Sequence, residues 1–152
     1  MAWSNSKIFT AFLEDALNND VAFALDTDTM KAALFDNTIT PDQTVSAANS
    51  TYNAGVWLTA AEVEDTTNWD AGGEPITTDD WTAASNVLTY DGADTPQGGA
   101  SCTLTDAYGV FVHDSSVTNR GLSYNYLGGA NSVVAGSFTI VWNGSGIFSI
   151  TA

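Results

Sequence analysis

His113 is the only histidine in the chain, and it opens the run His113-Asp114-Ser115-Ser116. Those are the residue types of a hydrolytic triad, in which an imidazole takes the proton of a hydroxyl and a carboxylate orients the ring. Their adjacency argues against it. Neighbours on a strand point to opposite faces, whereas triads converge from distant chain positions. The expected role of the four is a turn at a strand end. Gly144-Ser145-Gly146 lacks the spacing of a nucleophile elbow and reads as part of a hairpin.

Carboxylates are the abundant reactive group, with 18 Asp and Glu. Two such acids facing each other would be enough for glycoside chemistry. Glu62, Glu64, Asp65, Asp79 and Asp80, however, fall in expected loops or on solvent faces, where they read as surface acids. Asp26-Thr27-Asp28 is the tightest acidic cluster. Hard cations take clustered carboxylates, but the ligand spacing and the glycine of an EF-hand loop are missing, so a turn is expected. Cys102, the single cysteine, excludes an intrachain disulfide and a cysteine-based zinc site, and reads as a buried thiol in a strand. Gly98-Gly99 and Gly128-Gly129 come without the lysine of a phosphate loop and read as turns. The chain is therefore expected to be non-enzymatic, with no catalytic, cofactor-binding or metal-binding residues.

Composition narrows the partners. Eighteen acids face only Lys7, Lys31 and Arg120, for a formal charge of −15. Neutralising phosphates requires a basic stripe, so nucleic acid and anionic membrane surfaces are not expected partners. The start of the chain shows no positively charged stretch followed by an apolar run and a cleavage site, and no signal peptide is expected. With 44% hydrophobic residues, including five Trp and seven Phe, the chain can bury a substantial core. A length of 152 residues suits one domain, residues 1–152.

The elements that must position these residues are mostly strands. Residues 4–19 carry Ile8, Phe9, Phe12, Leu13, Ala16 and Leu17 at helical spacing and predict one amphipathic helix, capped by Ser4 or Ser6 and stopped by Asn18-Asn19-Asp20. Residues 26–36 predict a turn and a strand. Long loops are expected near residues 37–53 and 65–82, with a strand through Val56-Trp57-Leu58 between them. From residue 86 onward, apolar or β-branched runs alternate with Gly, Asp and Asn clusters. The expected fold is mainly β: an antiparallel β-sandwich over residues 26–152, with jelly-roll and immunoglobulin-like topologies both open, preceded by the helix. The runs at 136–142 and 147–150, joined by Asn143-Gly144-Ser145-Gly146, predict a C-terminal hairpin. Its core face would carry Phe138, Ile140, Trp142 and Phe148.

Several segments, in order, resemble a family of small tailed-phage virion proteins. They are Leu25-Asp26-Thr27-Asp28-Thr29-Met30-Lys31-Ala32-Ala33-Leu34 with Thr40-Pro41-Asp42, then Ala61-Glu62-Val63 with Trp69-Asp70-Ala71-Gly72-Gly73. The last is Ser132-Val133-Val134-Ala135-Gly136-Ser137-Phe138-Thr139-Ile140-Val141-Trp142-Asn143 with Gly146-Ile147-Phe148. Trp69, where that pattern has Tyr, and an apparent insertion at residues 94–99 depart from it.

The resemblance implies a decoration, cement or minor head protein that is made in the host cytoplasm and docks on the capsid exterior. Its partners would be the major capsid protein or an adjacent copy of this chain. A tail, neck or fibre component is the alternative. A carbohydrate-binding module is a further one, with Trp57, Trp69 or Trp81 as the sugar platform. The candidate interface is Trp3 with Lys7 and Phe9, since a large amphipathic ring can anchor a contact. The competing role for Trp3 is to staple the helix to the sheet.

Overall fold

The computed structural model describes residues 3–151, with the side chains of residues 97–100 outside that description. The protein is mainly β and entirely antiparallel, with one α-helix near its N-terminus. Strand β1 (Lys7–Ile8) leads into helix α1 (Thr10–Asn18), followed by β2 (Met30–Phe35), β3 (Glu62–Val63) and β4 (Glu74–Pro75). Strands β5 (Asp80–Ala84), β6 (Val87–Asp91), β7 (Thr95–Asp114), β8 (Arg120–Ile140) and β9 (Phe148–Thr151) complete the chain. The large sheet runs β1-β8-β7-β2-β3, with β4 also on β2, and the small sheet runs β5-β6-β9.

The helix is shorter than its apolar spacing predicts, because tertiary pairing claims its first turns. Lys7 and Ile8 pair with Tyr124 and Ser123 on β8. Neither Ser4 nor Ser6 caps it: the residue before the helix is Phe9, which has no polar side chain to cap with, and the Ser6 hydroxyl accepts the Tyr126 N–H at 3.0 Å instead. The stop falls at Asn19, in the left-handed conformation at φ 57° with its N–H on the Asp15 carbonyl. Leu17 belongs to the expected apolar stripe but is 86% exposed.

Strand β2 is apolar and buried except at the half-buried Lys31, because both its edges are paired. It takes β7 along one edge, from Met30↔Asp114 to Phe35↔Gly109, and the short β3 and β4 along the other. The chain presses against the β2 backbone at Gly73, where φ is +82° and a β-carbon would overlap the Ala32 backbone.

Residues 95–114 and 120–140 form one long hairpin where the sequence reads as several short strands. The interruptions are bulges. Asp106 at φ 56°, the Gly128-Gly129 pair and Ala135 at φ 46° re-aim the backbone without ending the pairing. Gly98-Gly99 and Gly128-Gly129 therefore sit inside strands and not in turns.

The expected C-terminal hairpin is not formed. Residues 136–138 are already paired with residues 100–102 of β7, and β9 pairs instead with β6, from Val87↔Thr151 to Tyr90↔Phe148. Val56-Trp57-Leu58 is likewise no strand. It is a turn segment held by the Asn53 N–H on the Trp57 carbonyl at 2.9 Å, followed by a 3-10 turn at Thr59–Ala61.

Trp57 is the hub of the core. Its ring meets Trp3, Phe9 and Phe35 edge-on at 5.8, 5.8 and 5.3 Å and stacks on Phe111 at 4.5 Å. A second aromatic group, Trp81, Tyr90 and Phe148, lies on one face of the small sheet and meets α1 through Phe12, 6.2 Å from Phe148.

Candidate functional site

The chemistry-bearing residues gather at two places on the β2–β7 ladder. The first is the end of β7. His113 is 1% exposed, and its Nε2–H donates to the Gly72 carbonyl at 2.9 Å. Tyr52 stacks on the ring at 5.0 Å and Phe111 at 5.5 Å, while Nδ1 has no partner. Burial lowers the imidazole pKa to about 4, so the ring is neutral through the physiological range.

Beside it, the Tyr52 hydroxyl donates to Glu62 Oε2 at 2.6 Å, and the Gly72 N–H donates to Glu62 Oε1 at 2.7 Å. Glu62 is therefore a half-buried brace, not the solvent-face acid its neighbourhood in the sequence suggests. Burial raises its pKa, and the two hydrogen bonds partly offset that. Burial and then the Glu62 hydrogen bond push the Tyr52 phenol well above its ordinary range. This is an imidazole, a phenol and a carboxylate in one cluster. Each side chain is spent on fastening residues 70–75 to the large sheet.

The second place is the turn that joins β7 to β8. Asp114 is fully buried, and its Oδ1 accepts the N–H groups of Ser116 and Val117 at 2.8 and 3.1 Å. Ser116 Oγ takes the Thr29 N–H, and Ser115 Oγ donates to the Thr29 carbonyl. The His113-Asp114-Ser115-Ser116 run thus makes a side-chain-capped turn with no converging triad. Asp114 Oδ2 has no donor, and the Asp28 carboxyl lies against it. Burial first, and the Asp28 carboxyl second, hold the Asp114 pKa up at about 6. Of the Asp26-Thr27-Asp28 cluster, only Asp28 enters this pair; its Oδ2 also accepts the Ala24 N–H at 2.7 Å. No group of three or more His, Cys, Asp or Glu that could hold a metal ion occurs among the described residues.

The candidate interface residues separate. Trp3 and Phe9 are fully buried in the protein's own core, so neither is a contact residue. Trp3 instead fastens the N-terminal segment: its Nε1–H donates to the Asp36 carbonyl at 2.7 Å, and its ring meets Trp57 and Tyr124. Pairing Lys7 and Ile8 with β8 carries the flanking Phe9 inward, where it meets Phe111 and Tyr124. Lys7 alone of the three is exposed.

Of the other singled-out residues, Ile140 is buried, and Phe138, Trp142 and Phe148 are half-buried against the core. Phe138 packs edge-on against Trp69 at 5.4 Å, and Trp142 Nε1–H donates to Thr95 Oγ1 at 3.2 Å. Trp57 and Trp69 are fully buried, which removes them as a sugar platform, and Trp81 is half-buried. Cys102 is buried, and burial raises its thiol pKa.

The sequence reading missed the Tyr52–Glu62–His113 cluster, whose members are 10 and 51 positions apart from Glu62. The signal available was the Gly72-Gly73 pair, which marks a close backbone approach. No protein-family model, no curated protein and no solved structure matches this chain.

Proposed function

We propose that this protein is a non-enzymatic structural component of a bacteriophage particle, bound to the outside of the capsid as a decoration or cement protein. The observation that carries the reading is its charge. A formal −15 with three cations is repelled by the phosphates that fill a packed capsid interior and is tolerated outside. One of those cations is further neutralised within the fold, since Arg120 Nε lies 3.2 Å from Asp15 Oδ2. The ordered segments that resemble small virion proteins point the same way. The interior supports a brace role, because His113, Asp114 and Glu62 hold turns and loops together where a catalytic group would need access to a substrate.

A cryo-EM map of the parent particle tests this directly. Density for this fold on the outer shell, with particle proteomics giving hundreds of copies, is the expected result. A handful of copies at the tail or neck would move the protein there. A low-salt mobility shift with duplex DNA would overturn the exterior assignment.

A further inference from the structure

Strands β5, β6 and β9 place Trp81, Tyr90 and Phe148 on one face, and the next pairs in register, Ala83↔Leu88 and Leu88↔Ile150, put those residues on the same face. Helix α1 meets this face through Phe12 on Phe148. Beside that contact Trp81, Leu88 and Ile150 on the sheet, with Leu17 of the helix and Phe23, wall a groove of about 480 Å³. An adjoining hollow of about 460 Å³ shares Leu88 and Ile150 and extends it along Ala83 and Val87. Leu17 is 86% exposed and Leu88 38% exposed. Contiguous uncovered apolar surface of this kind marks a contact site.

Charge decides the occupant. The segments that build the groove, residues 10–28, 80–84, 87–91 and 148–151, contain no Lys or Arg, while Glu14, Asp20, Asp26 and Asp80 are among their acids. Asp26 lines the groove itself. A second copy would set Asp26 against Asp26 and one chain of charge −15 against another, which like-charge repulsion disfavours, and an anionic lipid surface would be repelled for the same reason.

We infer that the groove between α1 and the β5-β6-β9 face receives a segment of another protein whose apolar side chains are flanked by Lys or Arg. Apolar side chains enter beside Leu17, Leu88 and Ile150, and a flanking cation meets Asp26. The inference needs only the groove and its charge, and stands apart from the virion reading.

Titration calorimetry of the full chain with a synthetic peptide of Leu and Phe residues flanked by lysines, beside a control carrying glutamates in their place, tests it. The lysine peptide is expected to bind, more weakly as salt rises, and the glutamate peptide not to bind. Leu17→Ser combined with Leu88→Thr should weaken binding at least about tenfold at an unchanged melting temperature. Asp26→Asn, at an exposed position, should weaken it less and flatten its salt dependence; it carries the test alone if the double variant melts early. Absence of binding by the unaltered protein would overturn the inference. So would equal affinity for both peptides, affinity insensitive to these substitutions, or a dimer that the double variant abolishes.

Discussion

The indole of Trp3 lies directly on Gly109, so closely that a β-carbon at position 109 would overlap the ring. Gly109 is where β2 ends its pairing with β7, opposite Phe35, and Trp3 Nε1–H reaches the Asp36 carbonyl just beyond. One missing side chain thus lets the N-terminal segment close the core. Gly109→Ala should lower stability by about 1–3 kcal/mol, the usual cost of overpacking. In urea unfolding this appears as a lower midpoint at an unchanged slope. An unchanged midpoint would mean that Trp3 does not seat there.

The aromatic hub gives a rank order. Trp57 is fully buried and in contact with Trp3, Phe9, Phe35, Phe111 and Tyr124, whereas Trp142 is only half-buried at the edge of the core. Trp57→Ala should cost about 3–5 kcal/mol or more and Trp142→Ala distinctly less. Equal losses in parallel denaturant titrations would contradict the placement of the two rings.

Removing the Tyr52 hydroxyl leaves Glu62 Oε2 half-buried without its donor. Tyr52→Phe keeps the stack on His113 and should cost about 1–3 kcal/mol, because an orphaned buried acceptor loses more than a hydrogen bond is worth net. Amide exchange should quicken at Gly72 and Gly73, the residues this cluster fastens. Exchange unchanged there would assign the loop's order to other contacts.

Two groups make stability depend on pH with opposite signs. The Asp114 carboxyl, raised to about 6 beside Asp28, contributes stability that is complete below its unfolded value of 3.8 and lost as pH rises through 6. His113, lowered to about 4, contributes stability present above its unfolded value of 6.5 and lost as pH falls through 4. Asp28→Asn relieves the carboxylate pair and should stabilise the protein at pH 7.5 by on the order of 1 kcal/mol, discounted for screening, and by little at pH 4. His113→Gln should be costly at pH 7.5 yet flatten the loss between pH 6.5 and pH 4. Thermal melts across that range read both, and parallel pH profiles for all three proteins would dismiss the assignments.

What could be read from the sequence was whatever depends on neighbours in the chain. The period of α1, the stop at Asn19, the β-rich second half and the turn at His113-Asp114-Ser115-Ser116 all rest on local pattern and turn chemistry. The alternation of exposed Ser137 and Thr139 with more buried Phe138 and Ile140 follows the pleat of β8. The partner of each strand does not follow from local pattern. Asn143-Gly144-Ser145-Gly146 has the composition of a hairpin turn, yet β9 crosses to β6 while residues 136–138 of β8 pair with β7. Trp3 and Phe9 invited an interface role as aromatics near a terminus; pairing Lys7 and Ile8 with β8 carried them inside. Glu62, Tyr52 and His113 form one cluster only because β2 holds β3 on one edge and β7 on the other. Local sequence determined the core of α1, the β-rich second half and the turn after His113, since those preferences are set within a few residues, but not the segments at Lys7–Ile8, Val56-Trp57-Leu58 or Gly128-Gly129. Tertiary structure decided which groups are buried and what each touches, since desolvation and strand pairing are settled by residues far away in the chain.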